Sequence, residues 1–96
     1  MDEYAKLRSL LDIVESFGIA IRRAPPRGDF AGIGAPDDHP GGALVRLRDQ
    51  EILFLDPTAS VADRIAVAAA ALAGRREVEE MFLPPEIREL IDHAER

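Results

Sequence analysis

The stretch "RIAVAAAALAG", residues 64–74, carries one charge, no histidine and six alanines. Alanine has the highest intrinsic helix propensity, so the stretch reads as a helix. A helix that is apolar on most sides is expected to be buried or packed against another helix. The chain must therefore surround this segment with other elements, its own or a partner's.

The flanking segments offer that cover. "DEYAKLRSLLDIVESFG" spaces Tyr4, Leu7, Leu11 and Val14 as one helical stripe, with Leu10 and Phe17 beside it. Asp2 and Glu3 stand in the first turn, where the helix dipole favours negative charge, and Gly18 suits the left-handed position after the last turn. "IAIRR" predicts a short strand with Ile19 and Ile21 facing inward. Residues 24–42, "APPRGDFAGIGAPDDHPGG", hold four prolines and five glycines and follow neither helical nor strand spacing. A loop of that length in a compact domain is usually functional or mobile. Its glycines match no dinucleotide or phosphate-loop fingerprint.

"ALVRLRDQEILFLD" predicts a hairpin turning at Asp49-Gln50. That register pairs Leu47 with Ile52 and Val45 with Phe54, and assigns these four to the core face. The opposite face then carries Leu44, Arg46, Arg48, Glu51, Leu53 and Leu55. Leu44, Leu53 and Leu55 are more apolar surface than an outer face needs, which marks them as candidate interaction residues. Replacing Leu53 and Leu55 with Glu is then expected to dissociate an assembly and spare the helices.

Asp56-Pro57 ends the second hairpin strand, and Ser60 with Asp63 resembles a capping box ahead of the alanine-rich helix. "RREVEEMF" puts Val78, Met81 and Phe82 on one face of a further turn or two. Pro84-Pro85 stops it, and Pro85 suits the first turn of a last helix, "PEIRELIDHAER". Arg88–Asp92 and Asp92–Arg96 have the spacing of surface ion pairs on that helix. The pattern is α+β: an N-terminal helix, a strand, a long loop, a β-hairpin, then two or three helices packed on a small antiparallel or mixed sheet. Residues 1–96 make one small domain.

Charge and residue usage exclude whole classes of chemistry. Eighteen acids against 12 bases give a net charge of −6, with no basic patch. Nucleic acid and anionic membranes are therefore disfavoured as partners. There is no cysteine, so disulfides and thiolate metal sites are absent. The longest apolar run, Ile65 to Ala73, is far short of the ~20 residues that span a bilayer. The N-terminus does not read as a signal peptide, which makes the cytoplasm the expected location. Ser9, Ser16, Ser60 and Thr58 are the only hydroxyl nucleophiles of their types, and none lies in a nucleophile elbow. No catalytic constellation or cofactor site is evident. Asp37, Asp38 and His39 are the one cluster of metal-ligand type. Adjacent residues do not usually converge on one ion, so Asp29 or His93 would have to join them.

The order helix, strand, loop, hairpin, helix resembles the core of the ImmA/IrrE-like zinc metallopeptidase family. The quoted segments "SFGIAIRR", the Gly-Gly before "ALVRLR", "EILFLD" and "RIAVAAAALAG" fall in comparable order. If Arg64 takes the place of the arginine that precedes that family's HExxH, the two histidines and the glutamate fall at Ala69, Ala73 and Ala70. The resemblance therefore implies a scaffold without its catalyst. A Gly-Gly-led hairpin with a closing "LPPEIRELI" also resembles small uncharacterised bacterial proteins. The expected function is a noncatalytic protein-interaction domain, self-associating or bound to a protein partner. Two alternatives stand beside it: a small-ligand or metal site on the 24–42 loop, and a pseudo-peptidase that holds peptide without cleaving it.

Overall fold

The computed structural model describes residues 2–24 and 41–94. In chain order these form α1 (Glu3–Ser16), β1 (Ala20–Arg23), β2 (Gly42–Leu47), β3 (Gln50–Leu55), α2 (Val61–Leu72), α3 (Arg76–Glu80) and α4 (Pro85–Ala94). The fold is α+β, with helices packed on a three-stranded mixed sheet in the order β1-β3-β2. β1 runs parallel to β3, and β2 runs antiparallel to it. No helix among the described residues is long and apolar enough to cross a membrane.

The helix ends follow their local chemistry. Asp2 accepts a hydrogen bond from the Ala5 amide at 2.7 Å, and Ser60 accepts one from the Asp63 amide at 3.0 Å. Each satisfies a donor that the first turn leaves without an intrahelical partner. Gly18 adopts the left-handed conformation after α1, with φ +78°. Pro85 opens α4, as its fixed φ and missing N–H favour.

The buried face of α1 is centred on Leu10 and Val14, with Leu7 and Ile13 beside them. Leu11 packs only partly against the core, and Tyr4 is 70% exposed, so the helix is rotated from the stripe its spacing suggested. Ile19 and Ile21 face the core as expected, and the parallel register sets Ile21 beside Leu53.

The hairpin reverses the expected faces. Its turn is Arg48-Asp49, so Leu47 pairs with Gln50, Val45 with Ile52 and Leu44 with Leu53. Shifting the pairing by two residues leaves the same residues sharing a face, so parity could not show which face is inside. Leu53 is fully buried in the helix-packed core, and Leu44 and Leu55 pack against it. Val45 is buried too but lies outside that core, and Leu47 is exposed. Leu44, Leu53 and Leu55 are thus not an outward patch; together with Ile19 and Ile21 they form the seat for the helices.

The charges that made this face look solvated lie at its turn end, where Arg75, between α2 and α3, binds Glu51. Arg75 binds Glu51 through two hydrogen bonds, of 2.6 and 3.2 Å, and its Nε donates to the Ala71 carbonyl at 2.7 Å. Arg46 also reaches Glu51, at 3.3 Å. The hydrogen bond from Arg75 holds the Glu51 carboxyl below its ordinary value, against the opposing effect of burial.

At the other end of the sheet, backbone meets backbone. A Cβ on Gly41 would lie 2.1 Å from the Asp63 carbonyl oxygen, so only glycine lets this strand approach the first turn of α2. α3 is one short turn with Val78 buried, and it leaves Phe82 fully exposed rather than sharing Val78's face. Arg88 does not take up the expected Asp92 pairing. It crosses to α3 and donates to the carbonyls of Val78 and Met81, at 3.2 and 2.5 Å. Arg96 lies outside the described residues.

Two outcomes follow. Leu53→Glu should cost about 4 kcal/mol or more by burying a charge, while Leu47→Glu should stay within about 1 kcal/mol. Urea unfolding of the two variants checks this. Glu51→Gln should cost about 1–2 kcal/mol at pH 7. Because the folded carboxyl titrates below its unfolded value, its contribution is complete above that value and is lost as pH falls through the folded one. Stability curves of wild type and Glu51→Gln should therefore converge in acid.

Candidate functional site

α2 touches both α1 and α4, and alanine lets all three lie close. Alanine fills less space than its neighbours could cover, and the shortfall is a trough of about 590 Å³ along the outer side of α2. Its floor is Ala62, Ile65, Ala66, Ala69 and Ala70. Ile65 and Ala69 are buried, Ala70 is half-buried, and Ala62 and Ala66 are exposed. Glu3 and Lys6 of α1 form one wall, while Leu90, His93 and Ala94 of α4 form the other.

From Ala62 to Ala70 is eight residue steps, so the floor is about 12 Å long. Lys6, Leu90 and His93 also border a second depression of about 430 Å³, whose other lining residues are Glu86, Glu89 and Asp92. The floor offers methyl and methylene groups only. It cannot move a proton or ligate a metal, but it can accept apolar side chains.

The residues that the peptidase resemblance singles out fall on and beside this surface. Ala69 and Ala70 line the trough. Ala73, one turn beyond Ala69, donates its amide to the Ala69 carbonyl at 3.0 Å and packs against the core. Arg64 stands one turn after Ser60, with its Nε buried and without a hydrogen-bond partner. Ala69, Ala70 and Ala73 carry only methyl groups, which neither ligate a metal nor move a proton.

Asp29, Asp37, Asp38 and His39 lie outside the described residues, so the metal reading of the 24–42 loop has no geometry to stand on. His93 is exposed on the wall of the trough. Among the described residues, no three histidine, aspartate or glutamate side chains come together as metal ligands would.

Sequence spacing foretold the alanine helix but not the trough. Its walls come from segments roughly sixty residues before and twenty-five after the floor, and nothing local in either one signals the other. The alanines themselves were the available signal, since each small side chain leaves room for a neighbour. No protein-family model, curated protein or solved structure matches this chain.

The trough can be distinguished from tightly packed core by filling it. Ala66→Leu should change stability by no more than about 0.5 kcal/mol, because its methyl already faces open space. Ala68, fully buried on the same helix, should lose about 1–3 kcal/mol on substitution by Leu, through overpacking. Thermal unfolding of both variants reads the difference.

Proposed function

We propose that the domain is a noncatalytic protein-interaction module whose working surface is the trough between α1, α2 and α4. The observation that carries this reading is the apolar floor itself: an open surface of alanine and isoleucine, walled by helices and free of catalytic groups. Two or three apolar side chains seated there would each contribute about 1.5–3 kcal/mol of burial. After the cost of association, that favours a transient contact over a permanent one. Self-association is one form of this reading. Leu44, Leu53 and Leu55 are committed to the core, so an assembly of copies would use another surface, and the trough is the apolar one that α1, α2 and α4 wall.

A second reading draws on the sheet order. Among the described residues β1 and β2 each have one side without a strand partner, and such an edge can accept an extended peptide by strand addition. A pseudo-peptidase would use this edge.

Site-specific photo-crosslinking in the producing cells separates the readings. A benzophenone amino acid in place of Ala66 should yield a discrete protein adduct, and one in place of the distant Glu79 should not. An adduct from the position of Leu47, on β2, with none from that of Ala66, would replace the trough with the strand edge. No adduct at either position would contradict the interaction function.

A further inference from the structure

We propose that the occupant of the trough is a short, basic, amphipathic helix of a partner protein. This inference rests on the interaction reading above and specifies its partner.

The floor dictates the helical form. α2 presents side chains there, while its main-chain groups are engaged along the helix, so the floor offers no row of donors and acceptors. An extended segment laid on methyl groups would leave its own N–H and C=O groups without partners, at the cost of burying them unbonded. A helix satisfies those groups internally and brings only side chains to the floor. The length agrees: about 12 Å is two helical turns, enough for apolar anchors at i, i+3 or i+4, and i+7.

The border dictates the charge. Glu3 closes the trough on the α1 side, and Glu86, Glu89 and Asp92 of α4 line the neighbouring depression across Lys6, Leu90 and His93. Among the described residues, Lys6 is the one lysine or arginine lining either depression, with His93 beside it. Lysine or arginine on the flank of the incoming helix would meet the α4 carboxylates, and acidic flanks would be repelled. The same border argues against a second copy, because this chain carries a net charge of −6 and would bring like charge to like.

The test is a selection. Peptides of about 14 residues on a helical frame, with leucine at i, i+3, i+4 and i+7 and the other positions varied among Ala, Gln, Glu and Lys, are displayed against immobilised wild-type protein. Protein carrying Ala66→Lys, whose helicity is verified by circular dichroism, serves for counter-selection. The enriched sequences should carry lysine well in excess of glutamate. The best of them, synthesised and labelled, should bind wild type at least about tenfold more tightly than it binds Ala66→Lys, and tenfold more tightly than its Lys-to-Glu twin binds wild type. Its affinity should fall with added salt and on Glu89→Gln with Asp92→Asn. Enrichment indifferent to charge, enrichment of glutamate, or no enrichment would overturn the proposal. If crosslinking from the Ala66 position gives an adduct while the selection shows no lysine excess, the interaction function stands and the basic helix falls. An adduct to a second copy of the chain likewise overturns it.

Discussion

α2 is fixed at both ends, and the rest of the molecule is arranged around that fixation. At its start the Gly41 backbone lies against the Asp63 carbonyl, closer than any side chain would permit. Three residues past its end, Arg75 grips Glu51 with two hydrogen bonds. The two anchors stand at opposite ends of the hairpin, so α2 lies along the sheet with its apolar sides committed: Val67, Ala68, Ala71 and Leu72 are buried. α1 and α4 close in over what is left. Alanine permits this because it adds little bulk between helices and favours the helical backbone.

The same economy of volume leaves the trough. Where α2 meets neither the sheet nor a neighbouring helix fully, its alanines make a floor instead of a seal. Ala69, Ala70 and Ala73 supply packing and shape there, and their methyl groups neither ligate a metal nor move a proton. What this surface offers a guest is an apolar floor, with Glu3 and Lys6 on one wall, Leu90, His93 and Ala94 on the other, and the α4 carboxylates in the neighbouring depression.

Features set by neighbouring residues could be read directly. Asp2, Ser60, Gly18 and Pro85 each act within one turn of themselves, so the starts of the three long helices and the end of α1 were visible in the chain. Ile19, just before β1, and Ile21 within it face inward as their spacing implies. What the pattern hid depends on partners far along the chain. The two hairpin faces are both apolar, and Arg46 and Glu51 made the inner one look wet because Arg75 lies 24 residues away from Glu51. Tyr4 and Phe82 sit at helical spacing, yet α1 is rotated away from one and α3 ends before the other. Arg88 has a local acid within reach of a helical pair and bonds instead to the carbonyls at the end of α3. The trough is the extreme case, since its three sides meet only in the folded chain.

Equilibrium unfolding of Gly41→Ala tests the anchoring of α2 most directly. The close approach of the Gly41 backbone to Asp63 predicts a loss of about 3 kcal/mol or more, because strand and helix must separate to admit one methyl group. Stability within about 0.5 kcal/mol of wild type would mean that the sheet and α2 do not meet at this point, and the placement of the trough would fall with it.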